Sequence, residues 1–160
     1  MNPRSLNGFT IIEFAAVIVI IAIISAFAFT LWPGKGIELN AQAMQLAGDI
    51  RYIQELAMTQ NQRYRINFAS GQYSFTTLNG LTGIPHPATN NSVIVLQSGV
   101  ALSTSGLPNG YLAFSSKGVP YINNTIPGTA LSSNATITLT ADSSIKTITI
   151  TPETGHVTVS

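Results

Sequence analysis

From Gly8 to Trp32 the sequence reads GFTIIEFAAVIVIIAIISAFAFTLW, an almost wholly apolar run broken by a single carboxylate, Glu13. No charged residue falls between Phe14 and Trp32. As a helix this stretch rises roughly 28 Å at about 1.5 Å per residue, close to the hydrocarbon thickness of a bilayer. The pattern predicts a membrane-spanning helix over residues 9–32. A cleaved secretory signal fits poorly, because its apolar region runs only about 7 to 15 residues and ends at a small-residue cleavage site. Here the clear boundary comes early, at Gly8. A plain signal anchor explains the length but not Glu13, since an ionisable group inside an apolar span costs free energy and marks a function with a partner to be named.

Arg4, Gly8, Phe9, Thr10 and Glu13 together resemble the type III signal of type IV prepilins and pseudopilins. The resemblance implies that a short basic leader, residues 1–8, is removed by a prepilin peptidase on the cytoplasmic side, between Gly8 and Phe9. It also implies that Phe9 is then N-methylated and that the apolar helix is retained. Cleavage would leave a cationic amine at Phe9, and Glu13 of one subunit is a physical match for the amine of a neighbour as helices bundle. An unpaired carboxylate in an apolar bundle is costly, so such a pair would both register and drive docking.

The leader MNPRSLNG carries Arg4 and no acid, which suits a cytoplasmic flank and places the rest of the chain on the far side of an inner membrane, in the periplasm of a bacterium. At 160 residues, one membrane segment and one soluble domain fill the length. Charged residues make up 8% and the formal net charge is +1, so no general attraction to nucleic acid or anionic lipid follows. The absence of cysteine removes disulfides, thiolate catalysis and thiolate metal sites together.

Beyond Trp32, Pro33-Gly34-Lys35-Gly36 reads as a kink or short break over residues 33–36, because proline removes a helical hydrogen bond and glycine loosens the backbone. The soluble region, 37–160, then opens with helical periodicity over 37–62. Ala43, Leu46, Ala47, Ile50, Ile53, Leu56 and Ala57 recur at three- and four-residue spacings, while Asp49, Arg51, Gln54 and Glu55 fall mostly on a solvated back. From 63 to 160 the pattern is that of strands. Tyr64, Ile66 and Phe68 alternate with Arg65 and Asn67, and a turn at Ser70-Gly71 leads to Tyr73 and Phe75. Residues 79–92, rich in glycine and proline, read as a long exposed loop. Short strands are expected at 93–96, 99–102, 111–115 and 119–122, with a polar loop over 123–134. The clearest strands are 135–141, 145–151 and 156–159, where isoleucine and leucine alternate with threonine. The fold expected is α+β, a long N-terminal helix with its second half packed on a mainly antiparallel sheet or small β-sandwich.

The order of these segments, with LAGDIRYIQELAMTQNQRYRINF, YLAFSSKG and a closing TGHV, resembles the GspH/FimT group of minor pilins and pseudopilins. In that group such subunits sit in small complexes that start a type IV pilus or the pseudopilus of type II secretion. The resemblance implies other minor and major pilins or pseudopilins as partners, inner-membrane lipid around the helix, and no cofactor.

Catalytic signals are weak throughout. The histidines, His86 between two prolines and His156 near the C-terminus, have no local motif and read as surface loop and sheet edge. No metal-ligand spacing and no phosphate-binding glycine loop occur, and an enzyme is not expected. Some members of the family that this chain resembles bind DNA during natural transformation through arginines in a GRxR-like segment near the C-terminus. Here that place holds Gly155-His156-Val157-Thr158, without a permanent charge. Arg51, Arg63 and Arg65 are the remaining candidates for weak nucleic-acid contacts, and few cations mean weak, salt-sensitive binding. The expected function is structural assembly, with a DNA-binding minor pilin as the alternative.

Overall fold

The computed structural model describes residues 10–30 and 35–160, and the chain divides into two compact units at Gly34/Lys35. Gly8 and Phe9, with the cleavage expected between them, lie outside the described residues, as does Pro33-Gly34.

In the first unit, α1 runs from Ile11 to Thr30. Its side chains from Ile11 to Phe27 are all exposed, Ile11 at 91% and Ile12 at 78%. A helix that is apolar on every side has no stable place in water. Among the described residues no helix is long and apolar enough to cross a membrane. The described side chains of α1 end at Phe27, so the apolar run to Trp32 extends beyond them.

The second unit begins with α2, Lys35–Thr59. Lys35 and Gly36 therefore open this helix and are not part of a break; the first N–H groups of a helix have no intrahelical partner, so a glycine there forfeits little. The helix also ends earlier than residue 62. Asn61 adopts a left-handed conformation (φ 51°) and Gln62 N–H reaches back to the Ala57 carbonyl at 3.2 Å, the arrangement of a Schellman cap with asparagine in the glycine position.

Nine strands follow in two antiparallel sheets. β1 (Tyr64–Ala69), β2 (Gln72–Thr77), β3 (Val93–Val95), β5 (Tyr111–Phe114) and β6 (Pro120–Tyr121) form the first, in the order β3-β2-β1-β5-β6. β4 (Ala101–Ser105), β7 (Ala135–Ala141), β8 (Ser144–Ile150) and β9 (Val157–Val159) form the second, in the order β4-β7-β8-β9. β4 lies two residues later than its apolar pattern suggests, and β6 shrinks to two residues because Ile122 leaves the strand to bond Thr129 across the following loop.

The helical stripe and the alternating strands meet in one core. Leu39, Ala43, Leu46, Ile50, Ile53 and Ala57 of α2 are fully buried with Ile66, Phe75, Leu112, Phe114, Ile137, Leu139, Ile148 and Ile150. Register puts Ile137 opposite Ile148 and Ala135 opposite Ile150, so the threonines between them share the other face. Each fully buried aliphatic or aromatic side chain contributes about 1.5–3 kcal/mol relative to exposure.

Two turns tie the sheets to the helix. Gln54, expected on the solvated back of α2, donates its amide both to the Gly118 carbonyl at 2.8 Å, in the β5–β6 turn, and to the Thr154 carbonyl at 2.7 Å, in the β8–β9 turn. Gly155 follows at φ +63°, and a Cβ there would stand 2.8 Å from Gln54 Nε2, 2.8 Å from Phe114 Cε1 and 3.1 Å from the Gly118 oxygen. Gly155→Ala is therefore expected to lower stability by about 2–4 kcal/mol, from left-handed strain together with overpacking. A thermal midpoint within a degree of the native protein's would show that the turn relaxes freely.

Candidate functional site

Three groups of residues bear on function, and the structure treats them differently. The first is the start of α1. Thr10 stands at the N-cap and Glu13 at the third helical position. Glu13 N–H donates to Thr10 Oγ1 at 3.3 Å, while Glu13 Oε2 accepts from Thr10 N–H at 3.3 Å and from Thr10 Oγ1 at 3.2 Å. This is a capping box, in which the carboxylate satisfies orphan donors at the positive end of its own helix. The sequence signal that could have found it is the T-x-x-E spacing from Thr10 to Glu13. Glu13 Oε2 in the isolated chain thus already has a partner.

The second group is the three arginines, which do not combine into one patch. Arg51 Nη2 donates to the Val157 carbonyl at 2.7 Å and so links α2 to β9 in the second sheet. Arg63 lies over the Tyr121 ring, 4.3 Å from its centroid, and donates from Nη1 to the Thr125 carbonyl at 3.0 Å. Arg65 lies over Tyr111 at 4.4 Å and donates from Nε to Thr76 Oγ1 at 3.2 Å. Arg63 and Arg65 share one face of the first sheet by strand parity. His156, at the closing turn, is exposed as expected.

The third group was not expected. Asp49 and His86 were read as surface residues, yet they are 7% and 6% exposed. Asp49 Oδ2 accepts the Tyr73 hydroxyl at 2.5 Å and Oδ1 lies 2.9 Å from His86 Nε2. The Ala88 backbone N–H donates to His86 Nδ1 at 3.1 Å, which makes Nδ1 an acceptor and Nε2–H the donor to Asp49. The ring stacks on Phe75, with centroids 5.7 Å apart and planes at 22°. Burial first, then the hydrogen bond and charge of Asp49, push the Tyr73 phenol far above its usual range, and a bond with Gln45 offsets this in part.

An acid orienting an imidazole is two of the three members of a hydrolytic triad, but here both ring nitrogens are already occupied, one by Asp49 and the other by a main-chain amide. Neither is free to take a proton from a nucleophile. What the cluster does is pin the 78–92 segment, exposed at most of its other positions, to α2 and β2. Among the described residues no group of three or more histidines and carboxylates is placed to hold a metal ion.

A helix laid on two antiparallel sheets, preceded in the sequence by a second helix whose described side chains are exposed all round, is a pilin-like fold. The fold is that of two solved proteins. The minor pseudopilin EpsH from the type 2 secretion system of Vibrio cholerae is 16% identical, with a TM-score of 0.59 over 77% of this chain and 96% of that one. The type IV minor pilin FimU of Pseudomonas aeruginosa is 14% identical, with a TM-score of 0.54 over 77% of this chain and 88% of that one. No curated protein matches the sequence. Residues 42–155 match the family model described as type II transport protein GspH. The chain belongs to the GspH family.

Proposed function

We propose that this protein is a minor pilin or pseudopilin. In this reading it is a structural subunit that a prepilin peptidase processes in the bacterial inner membrane and that joins other pilins or pseudopilins to start or build a type IV pilus or type II secretion pseudopilus. Its work is assembly and not catalysis. The observation that carries the reading is α1, whose described side chains from Ile11 to Phe27 are exposed on every side of the helix. Such a surface needs lipid before assembly and the helices of fellow subunits afterwards. Membership of the GspH family supports the same conclusion. In the membrane the folded second unit would occupy the periplasm, with the residues before Phe9 on the cytoplasmic side.

Processing gives the direct test. In cells with a working prepilin peptidase, intact-mass measurement is expected to find the chain beginning at Phe9, eight residues shorter and carrying one methyl group. Recovery of the uncut chain from such cells would refute processing at Gly8.

A further inference from the structure

At the end of the second unit where α2 terminates there is an open groove of about 600 Å³, lined by residues that include Asn61, Arg63, Asn79, Ser116, Asn124 and Ile126. α2 has 25 residues, and a helix of that length rises roughly 37 Å. The groove therefore lies far from Lys35, where the chain enters the unit. Most of its described lining residues carry a carboxamide or a hydroxyl, and among them the charged group is the guanidinium of Arg63.

That guanidinium is held in place before anything binds. Tyr121 supports its face and the Thr125 carbonyl takes one N–H. The loop supplying Thr125 is itself closed by Asn123, which donates to Thr129 Oγ1 at 2.9 Å and accepts from Thr129 N–H at 2.8 Å. Gly128 leaves the room this requires, since a Cβ there would stand 2.9 Å from Arg63 Nη1 and 2.6 Å from Tyr121 Cδ1. Arginine has five N–H donors in a planar fork that matches a carboxylate, and a cation fixed in advance loses less freedom on binding. At the rim, Ile126 is 78% exposed.

We propose that this groove receives a carboxylate-bearing segment of a fellow fibre subunit, anchored by Arg63 with an apolar contact at Ile126. The proposal rests on the assembly reading above. Among the described lining residues Arg63 is the one cation, and a single pre-set guanidinium suits one acidic side chain or chain terminus, whereas a nucleic-acid backbone would need several cations along its path.

The test uses the full-length chain in membranes of cells that carry the remaining fibre subunits, with a photocrosslinking residue placed at Ile126 or, separately, at Ile18 of α1. The Ile126 probe is expected to capture a pilin-type subunit, identified by mass spectrometry through a crosslinked peptide containing Asp or Glu. Arg63→Glu should reduce that product by about tenfold or more, and Arg63→Gln, which keeps hydrogen-bonding capacity and is less disruptive to the stack on Tyr121, should reduce it severalfold. Crosslinks from Ile18 should persist in both variants, which shows that the protein is still folded and assembled. If Ile18 captures fellow subunits while Ile126 captures lipid, nucleic acid or nothing, the groove proposal fails alone. Capture at Ile126 that is indifferent to both Arg63 substitutions also overturns it. If neither probe captures a fellow subunit, the assembly reading and the groove proposal fall together.

Discussion

Asp49→Ala is expected to destabilise the folded unit by about 2–6 kcal/mol, the consequence of leaving two buried neutral donors without their acceptor. The carboxylate accepts from Tyr73 and from His86 at once, and both donors lie in the core. Alanine would leave two desolvated donors and a small cavity, and each unsatisfied buried group costs about 1–3 kcal/mol. For a unit of this size the thermal midpoint should fall by something on the order of 10 °C or more, measured by circular dichroism on the full chain in detergent. Asp49→Asn keeps one acceptor and should lose roughly half as much. The combined change Asp49→Leu, Tyr73→Phe and His86→Phe removes donors and acceptor together, and it should recover much of the loss despite altering three core positions. A decrease below about 1 kcal/mol in the alanine variant would mean that water reaches the cluster and that it does not hold the 78–92 segment.

This cluster also marks where a sequence can and cannot be read. Position 49 follows Leu46 by three residues and precedes Ile50, at the flank of the apolar stripe, where helical periodicity leaves burial undecided. What buries it is His86, arriving from 37 residues away on a loop whose prolines and glycines signal only that it is irregular. Gln54 reads as solvated for a similar reason, since its two carbonyl partners come from turns after β5 and after β8. Local pattern carries no information about such meetings. Where local pattern is sufficient, the structure follows it closely. The alternation of isoleucine and leucine with threonine gives β7 and β8 almost residue for residue, because each strand has one face on the core and one outside. Ser70-Gly71 and Asp142-Ser143 close their hairpins, with Gly71 and Asp142 at positive φ. Pro33-Gly34-Lys35-Gly36 lies between these cases. Breaker residues were legible, but the same glycine that loosens a helix interior is tolerated in its first turn, and Gly36 lies there.

Glu13→Ala is expected to reduce docking to fellow subunits by more than a hundredfold, provided its carboxylate pairs with the N-terminal amine of a neighbour. Leaving that amine buried without an acid costs about 3–5 kcal/mol, and each 1.4 kcal/mol is about a factor of ten. The capping box complicates a simple reading of such a result, because alanine also removes the contacts with Thr10. Loss of a cap by itself costs about 0.5–2 kcal/mol and would fray the first turn of α1. Glu13→Gln separates the two roles. Glutamine occupies the third position of a capping box as well as glutamate does, but it offers no charge to an amine. If pairing across subunits is the function, the glutamine and alanine variants should both lose crosslinks between α1 and partner helices, measured in membranes at equal protein levels. If capping is the whole function, glutamine should behave like the native chain and only alanine should fail. Native crosslinking in both variants would refute pairing and capping alike as determinants of docking. A third variant tests whether the cap competes with the pair. Thr10→Val weakens the hold on Glu13 without touching its charge, and under the pairing account it should dock no worse than the native chain while its first helical turn is less ordered.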